Sequence, residues 1–158
     1  MAITIEPIGF VRSPFATPEG MPIQEVASTA RGQIEIYRQY SAGLRDLDGF
    51  DYVIVLYSFH LTTREALVVT PFLDAEPHGV FATRAPTRPN RLGVSIVRLL
   101  KIEGSVLEVE QVDMADGTPV IDLKPFLPAF DNRPAMRIGW FAGRLEALDA
   151  ARADGRMR

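Results

Sequence analysis

The chain contains no cysteine. Disulfide bonds, a cysteine-ligated zinc and a cysteine nucleophile are therefore excluded, and a reducing compartment is compatible with the composition. Histidine is almost as scarce. His60 and His78 are the only two, too few for a multi-histidine metal centre. No metal is expected, although counting alone leaves carboxylate-held magnesium open. No apolar run approaches the roughly 20 residues of a membrane-spanning helix. The opening MAITIEPIGFVRSPF lacks a basic start followed by a long apolar stretch. Neither a membrane partner nor a secretory leader is expected, and the expected location is cytoplasmic. No G-x-G-x-x-G follows the first strand and no βαβ unit is evident, so the common dinucleotide-binding route is missing. Nor is there a nucleophilic triad: Ser58 and His60 are alternate residues of one strand and share only a face.

Positive charge is also short. The net charge is −3, which argues against generic nucleic-acid binding and against DNA as a partner. A local basic patch remains open, because Arg84, Arg88, Arg91, Arg98 and Lys101 lie close in sequence and Arg133, Arg137 and Arg144 form a second group. Taken singly, most of these are solvated surface charges.

What is present is an ordinary globular composition. The 158 residues, 47% hydrophobic and 23% charged, suit one domain over residues 1–158, with a tail from about 132. Residues 3–11 mix β-formers and end at the turn signal Arg12-Ser13-Pro14. Residues 16–30 hold two prolines and a glycine and read as a long loop, the kind that often carries function. Residues 32–37 alternate, with Ile34 and Ile36 on one face, as a half-buried strand does. Ser41 is placed to cap a short helix carrying Leu44 and Leu47, which Gly49 stops. The run DYVIVLYSFH predicts a central strand that delivers Phe59 and His60 to the sheet edge. A short strand is expected over 79–83. A hairpin is expected over 93–103 and 106–112, turning at Gly104-Ser105 with glycine where a type II′ turn needs it. After the turn MADGTP, residues 120–123 predict a last strand. Ile138, Phe141, Leu145 and Leu148 fall at helical spacing, predicting an amphipathic C-terminal helix from about 138 to 152, anchored by Trp140 and fraying at ARADGRMR. The fold class is therefore mainly β: a small β-barrel with a short helix and a C-terminal amphipathic helix.

Two polar constellations stand out. EPHGVFATRAPTRPN, residues 76–90, sets arginines among prolines that fix the backbone before any ligand arrives. An arginine fork there suits a carboxylate or phosphate. Composition leaves open whether this is a binding element or a proline-stiffened surface loop. DMADGTP, residues 113–119, is a hairpin turn first, and its carboxylates and amides are placed to bind a ribose or polarise an N–H. His60 closes a buried strand and by itself reads as a structural donor. Tyr57, Phe59 and Phe81 read as core.

The run GVFATRAPTRPN closely resembles the signature of the TsaA/TrmO-like family. Gly93, Ser95, Asp113 and DGTPVIDLKPFLP continue the resemblance, and IGFVRSPF, GMPIQ, YSFH and PFLD precede it. It covers about residues 8–131. It implies a β-barrel methyltransferase that acts as a homodimer, binds S-adenosyl-L-methionine at the inter-subunit region and N6-methylates N6-threonylcarbamoyladenosine beside the tRNA anticodon. Carried over by position, cofactor contacts are expected from Ile23, Gln24 and Glu25, from His60 and Leu61, from Arg84 and Val94, and from Met114, Ala115, Asp116 and Gly117. Arg88, Asn90 and Arg91 of the arginine-rich loop are offered to the acceptor. Two departures matter. Arg91 stands where the family has proline, so the loop is expected to be looser or to make a further RNA or dimer contact. Longer members also carry an extension beyond the barrel, whereas about 27 residues follow Asp131 here.

A threonylcarbamoyl N6 is urea-like and weakly nucleophilic, so its proton must be removed as the methyl transfers. Asp116, Asp113 and His60 are the available bases, with Asp116 first on position. Two other readings stay open: an S-adenosylmethionine-binding regulatory module, and a methyltransferase with another RNA or small-molecule acceptor.

Overall fold

The computed structural model describes residues 1–157. Six strands close into an antiparallel barrel in the order β1-β2-β7-β6-β3-β8. In chain order these are β1 (Gly9–Arg12), β2 (Arg31–Ile36), β3 (Tyr52–Ser58), β6 (Leu92–Glu103), β7 (Val106–Glu110) and β8 (Pro119–Pro125). Between β3 and β6, β4 (Val68–Val69) and β5 (His78–Gly79) pair into a separate two-stranded ribbon.

The alternation in the sequence becomes the inside and outside of the barrel. Along β3, Val53, Val55 and Tyr57 point inward while Ile54 and Leu56 are half-buried. Ile34 and Ile36 of β2 and Leu107 and Val109 of β7 do the same. The core is Val11, Ile34, Val53, Val55, Val97, Leu107, Val109, Val112 and Val120, none of them solvent-exposed. Branched side chains with few rotamers fill so narrow an interior at little entropic cost. Register breaks at Leu99/Lys101 on β6 and at Leu56/Tyr57 on β3 let the sheet bend round to closure. The hairpin turn at Gly104 has φ +61°, as a primed turn demands.

The mainly β barrel is as expected, with four local corrections. The first strand starts at Gly9, not near residue 3. The segment expected as a strand over 79–83 is mostly the 3-10 turn Val80–Ala82, because Thr83 turns its hydroxyl back onto the Val80 carbonyl at 2.8 Å. The short helix is two 3-10 turns, Arg38–Leu44 and Leu47–Gly49, and Ser41 lies within the first, bonded to the Arg38 carbonyl instead of capping a start. The C-terminal amphipathic helix is absent. In its place stand the 3-10 turns Gly139–Phe141 and Leu145–Ala147. Gly139 and Gly143 sit at φ +57° and +75°, in the left-handed region that ends a right-handed helix.

Residues 152–157 are also held, against the expected fraying of ARADGRMR, of which Arg158 lies outside the described residues. Pro22 bridges Arg152, Gly20 N–H donates to the Ala153 carbonyl at 2.8 Å, and Ala153 N–H donates to Met21 at 2.9 Å. Arg64 donates to the Arg156 carbonyl. Met157 is 7% exposed and completes a second small core with Val69, Val80 and Ala85.

Candidate functional site

A cleft of about 530 Å³ opens at one end of the barrel. One wall is the barrel itself: the end of β3 with Tyr57, Phe59, His60 and Leu61, the start of β6 with Leu92 to Val94, and the β7–β8 connection with Asp113 to Ala115 and Thr118. The loop holding Ile23 and Gln24 and the proline-rich loop holding Arg84 and Arg88 flank it. The C-terminal segment supplies the remaining side with Ile138, Trp140, Phe141, Leu145 and Met157.

The floor is a chain of buried polar groups. Ser95 Oγ lies 2.6 Å from Asp113 Oδ1 and 3.2 Å from Tyr57 Oη. A hydroxyl has one proton, so Ser95 donating to Asp113 leaves Tyr57 to donate to Ser95. Burial pushes the Asp113 carboxyl up to about 7, with the nearby Glu25 adding to the rise and the Ser95 hydrogen bond and Arg84 opposing it. Burial and the Asp113 charge likewise hold the Tyr57 hydroxyl well above its ordinary value. Glu25 is 9% exposed; its Oε1 accepts from Ile96 N–H at 3.2 Å, and its Oε2 is buried with no partner. A buried unpaired carboxylate oxygen is costly, which marks it as an acceptor waiting for a donor.

This arrangement depends on Gly93. A methyl group there would stand 2.4 Å from the Tyr57 ring and 2.9 Å from Phe59, so any larger residue would displace the ring that anchors Ser95.

The expected cofactor residues Ile23, Gln24, His60, Leu61, Arg84, Val94, Met114 and Ala115 all line this one cleft. Arg84 Nη1 donates to Gln24 Oε1 at 3.1 Å, joining the two loops. Partial burial lowers the His60 imidazole from its ordinary value, and its Nδ1 lies 3.4 Å from Thr118 Oγ1. Glu25, Asp116 and Gly117 stand behind the lining. Asp116 Oδ1 accepts from Ser13 N–H at 3.0 Å and its Oδ2 is 3.9 Å from Arg12, and Gly117 holds the turn at φ +78°.

Of the residues offered to an acceptor, only Arg88 reaches the cleft. Its Nη1 is already spent on the carbonyls of Thr83 and Ala85 at 3.0 and 3.2 Å, which makes it a brace for the loop. Asn90 and Arg91 lie outside the lining. Arg91 has φ +48°, a torsion that proline's ring forbids. The arginine thus takes a backbone torsion proline could not; it is half-buried, with Nε buried and unpartnered.

Tyr57, the Ser95–Asp113 bond and the C-terminal wall were not assigned from the sequence. Tyr57 looked like core, and it is core that also ends a polar chain. Among the described residues no group of three or more His, Asp or Glu is close enough to hold a metal, and no helix is long and apolar enough to cross a membrane.

Comparison with known proteins agrees with this fold. Residues 10–132 match the tRNA-methyltransferase O N-terminal domain. A probable S-adenosyl-L-methionine-binding protein of Pyrococcus abyssi is 44% identical over 99% of this chain and 85% of its own length. The tRNA (adenine(37)-N6)-methyltransferase of Mus musculus is 36% identical over 80% of this chain but only 31% of its own length. The crystal structure of TrmO from Pseudomonas aeruginosa superposes with a TM-score of 0.75 at 34% identity, covering 89% of this chain and 63% of that one. The matched domain contains all of the barrel but Gly9 and every barrel-side residue of the cleft, and the chain belongs to the TrmO/TsaA-like family.

Proposed function

We propose that this protein is an S-adenosylmethionine-dependent methyltransferase that modifies N6 of an adenosine in tRNA, with N6-threonylcarbamoyladenosine beside the anticodon as the acceptor. The observation that carries the reading is Asp113: a carboxyl at the floor of a largely apolar cleft, poised near neutrality by burial and wired to Ser95 and Tyr57.

The residues fit the cofactor. Arg84 is the cation for its carboxylate, the unpartnered Glu25 Oε2 is an acceptor beside the cleft, and Phe59, Leu61, Val94 and Met114 are apolar walls for the rest. When bound, S-adenosylmethionine supplies an electrophilic methyl group. The chain's own work is to hold the acceptor nitrogen in line and to take its proton. Asp113 takes it in this reading, because its carboxyl lies at the cleft floor and is half ionised near neutral pH. Ser95 donates to Oδ1 and holds the carboxylate in one orientation. Asp116, ranked first on sequence position, lies outside the cleft lining; its Oδ1 accepts from Ser13 N–H and its Oδ2 is 3.9 Å from Arg12. In this reading a second copy of the chain and tRNA are the partners.

Purified protein is incubated with methyl-labelled S-adenosylmethionine and total tRNA from cells with and without the threonylcarbamoyl modification. Label confined to modified tRNA is the expected result. Label in both moves the acceptor to another site. Cofactor binding by calorimetry with label in neither replaces the enzyme by a binding module, a reading favoured by the name of the Pyrococcus abyssi relative. In the same assay Arg84→Ala weakens cofactor binding about tenfold or more, the loss of one charge-assisted contact, and unchanged affinity removes Arg84 from the site.

A further inference from the structure

We propose that the C-terminal segment is part of the ligand site, and that its Trp140–Phe141 ledge stacks a planar purine ring. This rests on the methyltransferase reading only for which purines are presented. The segment lies beyond residues 10–132 matched by the family domain, so its role has to be read from its own contacts.

Three rings stack in sequence. His78 and Trp140 lie 4.6 Å apart at 16°, and Trp140 and Phe141 lie 3.9 Å apart at 25°. Trp140 is the shared member, so the stack has two ends. The His78 end lies outside the cleft lining, and its ring is fixed at the edge by Asp74 Oδ2, which holds Nε2 at 2.8 Å and also takes Arg144 Nη2 at 3.3 Å. The Phe141 end borders the cleft and is half-buried. Trp140 Nε1 donates to the Ala82 carbonyl at 2.8 Å, and Arg144 Nη1 donates to the Trp140 carbonyl at 2.7 Å. The indole N–H is thus spent, and what the ledge still offers is aromatic surface.

That surface is held before any ligand arrives. The ribbon β4–β5 carries His78, the Asp74–Arg144 pair ties the segment to it, and Met157 is buried further along. A rigid aromatic ledge loses little entropy on binding, and a base stacks on it through its π-face whatever its edge. The ledge shares its cleft with Asp113, which places a purine there within the same enclosure as the proton acceptor. Two sources bring such a ring: the adenine of S-adenosylmethionine and the adenosine of an RNA acceptor.

Trp140 is the only tryptophan, so emission excited selectively at the indole, beyond the tyrosine absorption band, reports on the ledge alone. Wild-type protein is titrated separately with S-adenosylmethionine and with an anticodon stem-loop RNA, each followed by emission and by calorimetry. Emission that changes over the same concentration range as the heat, for either ligand, is the expected result, and the ligand that moves it names the source. Phe141→Leu then weakens that ligand about tenfold, as loss of one base–aromatic stack does, and Phe141→Tyr restores it. Heat without any change in emission, together with wild-type affinity in Phe141→Leu, overturns the ledge and leaves the methyltransferase reading standing. No heat from either ligand overturns both. The wild-type titration decides even if a variant folds poorly.

Discussion

Asp113→Asn is expected to cut methyl transfer by a factor on the order of 10²–10⁴, the contribution of a positioned general base, while S-adenosylmethionine binding persists. The amide keeps the shape and still accepts from Ser95, which sits 2.6 Å away, but it takes no proton. In the wild-type protein the rate should rise with pH and level off above about 7, because burial raises the Asp113 carboxyl to about 7 and only the ionised form acts. The variant should lack that limb. Asp116→Asn separates the two carboxylates: it should keep the pH profile, since Asp116 bonds Ser13 and not the cleft. A pH limb that survives in Asp113→Asn would remove the base role from Asp113.

The same substitution carries a stability signature of opposite sign. The folded carboxyl is raised from an ordinary 3.8 to about 7, so folding favours its protonated form. That favourable term is fully present below about 4. It is lost as pH rises toward 7, because the unfolded chain ionises first. Three units correspond to about 4 kcal/mol as an upper figure. Asp113→Asn should therefore melt higher than wild type above pH 7, with the gap closing toward pH 4. Chemical denaturation at several pH values measures this directly. A buried acid that costs stability and faces a cleft is what a functional carboxyl looks like.

Gly9→Ala should be the most damaging single methyl in the barrel. The added carbon would stand 2.1 Å from the Glu35 carbonyl oxygen and 2.9 Å from the Ile36 Cα. Both are backbone atoms of the paired strand, where Gly9 faces Ile36, so no side chain can swing aside. Relief requires β1 to leave β2, and β1 also closes the barrel against β8. A cost of about 3 kcal/mol or more is expected, a large share of a small domain's roughly 5–15 kcal/mol. A variant that unfolds at the wild-type denaturant concentration would show that the seam yields more easily than this geometry allows.

The strands were largely legible because burial on one face writes itself into the chain with a period of two. DYVIVLYSFH and the hairpin about Gly104 were read close to their observed bounds for that reason. The C-terminal helix failed because apolar spacing at 138, 141, 145 and 148 speaks only of faces. Gly139 and Gly143 decide the torsions, and they take positive φ. The ribbon β4–β5 was missed because two residues per strand carry no period.

For the site, the resemblance picked out most of the barrel wall, and local sequence showed the arginine-proline loop and the DGTP turn. Which carboxyl faces the cleft was a different matter. Asp113 and Asp116 are three residues apart in one turn, and only the path of the chain sends the first inward to Ser95 and the second outward to Ser13 and Arg12. Sequence by itself determined the barrel's alternation, its turns, its lack of thiol chemistry and its family, since each rests on residue identity or short-range order. Tertiary structure alone decided that Tyr57, Ser95 and Asp113 meet, that Glu25 is buried with an oxygen unpartnered, and that the tail returns to wall the cleft. Those depend on contacts between residues far apart in the chain, and burial, which sets the Asp113 proton affinity, exists only once they have formed.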